Sequence, residues 1–323
     1  MNRPEQPMRR RLAAALLAMS SLAAASAAGA QEVLRLVVPF AAGSYTDNVA
    51  RLVAPGLAER LGKNVIVENR AGANGMIGAD YVARAKPDGL TLLVGGASVN
   101  TINPGVYKNL PYDPERDLLP VARIGVLPFM MLVNTDLPVK SVAELIAYAK
   151  ANPEKLSYGT PNAATLVGTE TFKRSAGINL LSIPYKSSPQ AMTDLVGNQI
   201  QVLIADFATA MPQVQAGKAR LLAVTMKDRS ALLPDTPPIS DTLPGFDLSA
   251  WTGLLAPGKT PPETVQPIYE ALRASLADPA LQAKFKGIGF DINPMGPDEF
   301  GPYIRSEIQK WKTLAREAGI EPQ

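Results

Sequence analysis

The chain of 323 residues contains neither cysteine nor histidine. Without cysteine it forms no disulfide, no thiolate nucleophile and no cysteine-ligated metal site. The absence of histidine removes the commonest general base and metal ligand, so that a Ser-His-Asp triad and an ordinary zinc site are excluded. Carboxylates and lysines remain available for catalysis, but no spacing indicates a paired acid and base. We therefore expect no catalytic residue, no metal and no cofactor, and keep an enzyme only as the less favoured alternative.

The net charge of +3 arises within the first thirty residues, where four arginines accompany one glutamate. The rest of the chain carries equal numbers of acidic and basic residues. A protein that binds nucleic acid needs a basic face. The neutral body of the chain therefore argues against a nucleic-acid partner.

The N-terminal segment has the pattern of a secretory signal peptide. Arginines at 9–11 precede an apolar run rich in alanine, and Ala28-Gly29-Ala30 fits a small-x-small cleavage site. We predict that residues 1–30 are removed on export and that Gln31 begins the mature chain. A membrane anchor is the alternative, although the run is short and poor in leucine and isoleucine for a span of about 20 apolar residues. The Arg9-Arg10 pair leaves open whether export uses the Sec or the twin-arginine route.

Residues 34–61 predict a strand, a turn and a helix in close succession. The apolar run 34–38 is typical of a strand, and the small residues of 39–44 are typical of a turn. A helix is predicted to begin near residue 45, because apolar residues then recur at spacings of three and four, at Val49, Leu52, Val53, Leu57 and Leu61. The start of a helix presents backbone N–H groups without intrahelical acceptors, and its dipole attracts an anion. We therefore expect this segment to hold an anionic group.

Strand-like and helix-like segments alternate along the rest of the chain, which predicts an α/β fold with parallel strands and helices on both faces. Strands are expected at 64–68, 90–94, 156–158, 183–186, 200–204, 221–225, 253–256 and 290–292, and extended segments within 121–133. Helices are expected at 77–85, 141–151, 160–175, 188–195, 263–276, 279–285 and 297–318. Two α/β lobes with a cleft between them account for this order, and a single doubly wound domain accounts for it nearly as well.

Three helix starts carry recognisable signals. Ser141 with Glu144 has the pattern of a capping box. Thr160-Pro161 and Ser188-Pro189 have the pattern of an N-cap followed by proline at the first helical position. We expect helix N-termini to point into the cleft from both sides.

Eleven short motifs, taken together, resemble one family. They lie at 38–43 (VPFAAG), 67–72 (VENRAG), 77–80 (IGAD), 86–93 (KPDGLTLL), 102–104 (INP), 110–114 (LPYDP), 140–145 (KSVAEL), 183–186 (IPYK), 216–218 (AGK), 253–257 (GLLAP) and 317–320 (EAGI). With these motifs in this order, the chain resembles the solute receptors of tripartite tricarboxylate transporters, the Bug-type periplasmic binding proteins. The resemblance covers essentially the whole mature chain.

The resemblance implies a type II periplasmic-binding-protein fold with two lobes and a hinge. Residues 31–123 and 227–323 are expected to form the first lobe, and residues 124–226 the second. The resemblance also implies capture of a small carboxylate between the lobes with the help of ordered water. The sequence leaves citrate-like acids, C4 to C6 dicarboxylates, aromatic acids and amino acids open as ligands. A monomer that delivers its ligand to membrane permease subunits is expected, and presentation of the ligand to a membrane sensor kinase is the alternative.

Carried over to this sequence, the resemblance implies a first-lobe site in the turn and helix start after the first strand. Its residues here are Phe40, Ala42, Gly43, Ser44, Tyr45, Thr46 and Asp47. Ser44 stands where the family has a second glycine, and its hydroxyl adds a donor. Tyr45 is able to stack on an aromatic ligand. Asp47 has a second interpretation, as a helix cap that pairs locally.

The remaining candidates follow other strands. Ser98 and Asn100 follow the third strand and are expected to face the cleft. The second-lobe loop is shorter than the family's and lacks its histidine. The second-lobe candidates are Thr160, Asn162, Ala163, Thr165, Tyr185, Lys186, Ser187 and Asp206. Asp206 lies one place after the family's acidic position and suits a ligand amino or hydroxyl group, whereas Lys186 is either an anion contact or a solvated lysine and Ser187 either a contact or a cap.

Overall fold

The computed structural model describes residues 32–230 and 232–322, and the predicted signal peptide lies outside this part of the chain. The strands are β1 Val33–Val38, β2 Asn64–Asn69, β3 Thr91–Gly96, β4 Leu118–Asn134, β5 Ser157–Thr160, β6 Leu181–Pro184, β7 Val202–Asp206, β8 Ala219–Val224, β9 Ser249–Pro257 and β10 Asp291–Met295. The α-helices are α1 Tyr45–Leu61, α2 Met76–Ala83, α3 Asn103–Val106, α4 Val142–Ala151, α5 Ala163–Ala176, α6 Ser188–Val196, α7 Phe207–Gln215, α8 Pro262–Leu276, α9 Pro279–Gly287 and α10 Pro297–Glu317. Residues Ser98–Ile102 form a π-helical turn. Within the described ranges, no helix combines the length and the apolar character that a bilayer crossing requires.

The strands pair in the order β2-β1-β3-β9-β4-β7-β5-β6, and β8 and β10 also pair with β4. The pairs β1–β2, β1–β3, β5–β6 and β5–β7 are parallel. The pairs made by β4 and β9 are antiparallel. The expectation of parallel strands is therefore wrong for β4 and β9. These two strands carry the chain out of one half of the molecule and back into it, so they run in opposite directions.

The long strand β4 divides the molecule into two lobes. Its residues 118–128 pair with β9, and its residues 129–134 pair with β7 and β8. The first lobe contains β1–β3, β9 and β10, and the second contains β5–β8. The chain passes between the lobes in β4 and again between β8 and β9. The mixed sheet with helices on its faces and two chain crossings is the type II periplasmic-binding-protein fold that the family resemblance implies.

The first-lobe core confirms the expected amphipathic helix after β1. Leu34, Leu36 and Val38 of β1 share one apolar cluster with Val49, Val53 and Leu57 of α1. Val37 lies in a separate cluster on the opposite face of the strand, as alternation along a strand requires. This packing fixes the N-terminus of α1 at the carboxyl end of β1, where ligands bind in open α/β sheets.

The capping signals are confirmed at one helix and wrong at two. Ser141 Oγ accepts the Glu144 N–H at 3.1 Å, and Glu144 Oε2 accepts the Lys140 N–H at 2.7 Å. Thr160 is not the cap of α5: it stays paired with β6 as the last residue of β5, and Asn162 caps the helix instead. Helix α6 is likewise capped by Ser187 rather than Ser188, so its proline lies one position deeper in the first turn.

Candidate functional site

The loop between β1 and α1 folds around the side chain of Asp47. The Gly43 N–H donates to Asp47 Oδ2 at 2.9 Å, and the Asp47 N–H donates to Ser44 Oγ at 3.3 Å. Gly43 has φ +77°, a left-handed conformation that favours glycine. Ser44 is the N-cap of α1. The expected helix start is therefore present, with a neutral serine at its tip.

Two further donors fill the remaining acceptor positions of Asp47. Arg51 Nε donates to Oδ2 at 2.9 Å, and Asn69 Nδ2 donates to Oδ1 at 2.9 Å. The same amide donates to the Phe40 carbonyl at 3.1 Å. Burial alone raises the pKa of Asp47, but the hydrogen bonds from Arg51, the Gly43 N–H and Asn69 outweigh it and lower that pKa. With 1% of its surface exposed, Asp47 shapes the loop: it pairs locally, as in its second sequence interpretation, but the N-cap is Ser44.

A cavity of about 540 Å³ lies between this loop and the second lobe. Gly43, Tyr45 and Asn48 line it from the first lobe, and Asp206 and Phe207 begin its second-lobe wall. Its volume falls within the range of about 300–1,000 Å³ that is usual for small-molecule sites. The structure thus brings three candidates from two lobes, Gly43, Tyr45 and Asp206, to one cavity.

Tyr45 has a buried hydroxyl that meets no hydrogen-bond partner within the described residues. Its ring packs against the Phe290 ring with 5.7 Å between centroids, which occupies part of the surface expected to stack on a ligand. Burial, followed by the negative charges of Asp291 and Asp206, raises the pKa of Tyr45 well above its usual value. The phenol therefore stays protonated and retains an unused donor beside the cavity.

Asp206 is the N-cap of α7. Its Oδ1 accepts the Thr209 N–H at 2.9 Å, and its Oδ2 accepts the Thr209 hydroxyl at 3.0 Å. The half-buried carboxylate thus lies on the cavity wall with a fixed orientation. Helices α1 and α7 both begin at the cavity, as expected, one with a serine cap and the other with an aspartate cap.

The candidates after β3 lie in the π-helical turn, which sequence periodicity did not predict. Asn100 is fully buried, and neither its amide nitrogen nor its oxygen has a partner within the described part of the chain. Ser98 is half-buried. The turn contacts α5 of the second lobe, so these candidates lie near the junction of the lobes but do not line the 540 Å³ cavity.

The second-lobe loop candidates bond mainly to their own loop. Asn162 Oδ1 accepts the Thr165 N–H at 3.0 Å, and the Thr165 hydroxyl donates to the Asn162 carbonyl at 3.0 Å. The Thr160 hydroxyl donates to the Ile183 carbonyl at 3.2 Å. Ala163 is the first residue of α5. Thr160, Asn162 and Thr165 do not line the cavity.

Three further candidates also lie away from the cavity. The Tyr185 hydroxyl donates to Asp194 Oδ2 at 2.9 Å, and burial together with Asp194 raises the pKa of Tyr185 to about 12. Lys186 is exposed, as in its solvated interpretation. Ser187 is the N-cap of α6, although its side chain makes no capping hydrogen bond.

Sequence reasoning missed several residues of the cavity wall. Asn48 lies one helical turn after Tyr45, and that spacing was an available signal. Thr209, Met211 and Gln215 follow Asp206 on α7. The wall formed by 287–288, at the end of α9, carried no local signal, because it reaches the cavity only through the packing of the C-terminal segment on the first lobe.

Two lobes on a crossing strand, with a ligand-sized cavity at their junction, define a solute-binding receptor of the periplasmic-binding-protein class. The model of the tripartite tricarboxylate transporter family receptor matches residues 49–320, and the chain belongs to this family. A relative from Bordetella bronchiseptica, described as a UPF0065 protein, is 37% identical and aligned over 96% of this chain and 93% of the relative.

Solved structures agree with this assignment. An R. palustris protein solved with adipate has a TM-score of 0.79 and 34% identity, covering 90% of this chain and 98% of that chain. The periplasmic binding protein BugD has a TM-score of 0.75 and 35% identity, covering 90% of this chain and 99% of that chain. The resemblance to Bug-type receptors is therefore confirmed, and family members include periplasmic binding proteins.

Proposed function

We propose that this receptor captures a small carboxylate in the cavity between its lobes, with the acid group at the N-terminus of α1. The observation that carries the proposal is the pair of N–H groups of Tyr45 and Thr46. These begin α1 and meet no acceptor within the described residues. Together with the Ser44 hydroxyl and the helix dipole they form a neutral anion site. The adipate-bound structural relative supports a carboxylate as the ligand class.

The lobes act as a clamp in this proposal. Residues 31–123 with 227–323 form one rigid unit and residues 124–226 the other. The change of pairing partner within β4, at 128–129, supports a crossing close to the first boundary. A ligand that contacts Tyr45 on one side and the start of α7 on the other shifts the population toward the closed form.

The remaining parts of the proposal concern location and partners. The chain is exported with cleavage near Ala30 and works in the periplasm as a monomer. It delivers its ligand to the membrane subunits of a tripartite tricarboxylate-type transporter and does not transform it. Recovery of the ligand after prolonged incubation, checked by NMR, is expected to show no chemical change.

A thermal-shift screen of residues 31–323 against small carboxylates tests the ligand class. A ligand at about 100 times its dissociation constant stabilises the protein by about 2.7 kcal/mol. Ser44→Asp is the discriminating variant, because aspartate is as good an N-cap as serine but places a negative charge where the acid group binds. We expect it to weaken carboxylate binding at least 100-fold. The new charge also lies close to Asp47, so a cooperative melting transition of the free variant is the check that it remains folded.

The matched control is Ser141→Asp, which makes the same change at the N-cap of α4, where Ser141 Oγ accepts the Glu144 N–H at 3.1 Å. It should leave carboxylate binding unchanged. If Ser44→Asp binds carboxylates with unchanged affinity, the acid group of the ligand does not bind at this helix start. A folded wild-type protein that binds no carboxylate in the screen would contradict the ligand class itself.

A further inference from the structure

The N-caps of the two helices at the cavity differ in charge: α1 is capped by the neutral Ser44 and α7 by the carboxylate of Asp206. Asp47, in the first turn of α1, is buried and paired with Arg51. Among the described residues that line the cavity, Asp206 is the one charged side chain, and neither lysine nor arginine lines it. An acid group is therefore stabilised at α1, and a second acid group is repelled at α7.

The second-lobe side of the cavity also has unused hydrogen-bonding capacity. Each oxygen of Asp206 accepts one hydrogen bond from Thr209, and a carboxylate oxygen is able to accept two. The buried Tyr45 hydroxyl lacks a partner among the described residues, which is costly for a polar group away from water. A second carboxylate, Asp291, lies close enough to raise the pKa of the Tyr45 phenol together with Asp206. The free acceptor positions of Asp206 thus favour a ligand group that donates hydrogen bonds, and a second carboxylate on the ligand would meet the charges of Asp206 and Asp291.

We propose that the ligand carries a hydrogen-bond donor, an ammonium or a hydroxyl group, at the end opposite its acid group, and that Asp206 accepts from this donor. The inference rests on the proposed function, since it takes the acid group at α1 as given. Either an ammonium or a hydroxyl group on the ligand is able to donate to the free acceptor positions of Asp206. The receptor therefore discriminates against simple diacids of the same length.

Titration calorimetry with matched ligand sets tests this specificity. One set is glutarate, 5-aminopentanoate and 5-hydroxypentanoate, and the other is adipate, 6-aminohexanoate and 6-hydroxyhexanoate. In at least one set, we expect a donor-bearing acid to bind the wild-type protein at least tenfold more tightly than the diacid. The amino and hydroxy compounds show which donor the site takes.

Asp206→Asn identifies the responsible residue. Asparagine still caps α7, because its side-chain oxygen is able to accept the Thr209 N–H, but it carries no charge. We expect the tenfold preference to fall to threefold or less. The control is Asp278→Asn, the same change at the exposed N-cap of α9, where Asp278 accepts the Ala280 N–H at 2.8 Å. It should keep the full preference.

Each outcome decides between the two proposals. A diacid that binds the wild-type protein as tightly as its donor-bearing counterparts, or a preference that Asp206→Asn leaves unchanged, overturns the inference and leaves carboxylate capture intact. If no carboxylate binds, in these sets or in the wider screen, the proposed function fails and the inference fails with it.

Discussion

The carboxylate of Asp47 lies inside the loop that begins the ligand site, where it accepts hydrogen bonds from Gly43, Arg51 and Asn69. The sequence places Asp47 in the expected site segment but does not show which way its side chain turns. That direction depends on Asn69, which reaches the loop from β2 and is 22 residues away along the chain. Tertiary contacts of this kind limit what a helix-start pattern predicts.

Asp47→Asn should destabilise the protein by about 2 kcal/mol at pH 7, since it replaces an acceptor-only group with an amide that faces three donors. The native pKa of Asp47 is lowered, so its stabilising effect is present above the unfolded pKa of about 3.9 and is lost as pH falls through the native pKa. The difference between wild type and variant should therefore shrink below about pH 4. Urea unfolding at pH 7 and pH 3 measures it.

The control for this prediction is Asp80→Asn, which removes an exposed pair with Arg84 at the same four-residue spacing as Asp47 and Arg51. An exposed pair of this kind contributes about 0.5 kcal/mol or less. Equal losses for the two variants at pH 7 would show that the enclosed position of Asp47 has no special energetic effect.

At the scale of elements, the start of α7 meets the segment before β10 across the two lobes. Gly289 has φ +72°, and a Cβ at this position would lie 2.1 Å from Cγ of Phe207. The aromatic ring therefore requires a glycine here both for space and for backbone conformation. The contact between Gly289 and Phe207 lies next to the cavity, because Phe207 also lines the cavity wall.

Gly289→Ala should cost about 1–3 kcal/mol more than the backbone strain alone, because the added methyl group overpacks the junction. Gly217→Ala is the control that measures the cost of backbone strain alone, since Gly217 has φ +68° and nothing lies within 4 Å of an added Cβ. Phe207→Ala in the Gly289→Ala background should recover part of the loss, giving a coupling of about 1 kcal/mol or more in a double-mutant cycle. Chemical unfolding of the four variants and wild type measures these values, and additive losses would contradict the contact.

Local signals predicted most elements but not every boundary. The capping box at Ser141 is local and was predicted correctly, as was the apolar face of α1. The cap of α5 was wrong, because Thr160 remains paired in β5, a long-range constraint that the Thr-Pro pattern does not contain. The π-helical turn after β3 departs from both usual periodicities, so the environment of Asn100 was not predictable from spacing.

At the scale of the whole molecule, motif order predicted the two-lobed fold, whereas the direction of the crossing strands required the structure. Strands β4 and β9 link the lobes as an antiparallel pair, and alternation of helices and strands does not reveal that pairing. The cavity follows from this arrangement, because it joins residues of α1, α7 and α9 that are distant in sequence. The sequence predicted candidate site residues at the starts of α1 and α7, but none at α9.

The ligand affinity should be nearly independent of pH between 6 and 8. The chain has no histidine and no cysteine, the side chains whose ordinary pKa values lie closest to this range. The acid group is instead held by backbone N–H groups and hydroxyls. Calorimetry with a dicarboxylate across this range is expected to show less than a tenfold change in dissociation constant, and a larger change would require a titrating group in the site.

The most direct measurement is a crystal structure of residues 31–323 with the tightest-binding carboxylate from the screen. The acid group should lie within hydrogen-bond distance of the N–H groups of Tyr45 or Thr46, with the ligand chemically intact and enclosed by both lobes. An acid group bound away from residues 40–47, or a ligand in which a bond has been broken, would contradict the proposed function.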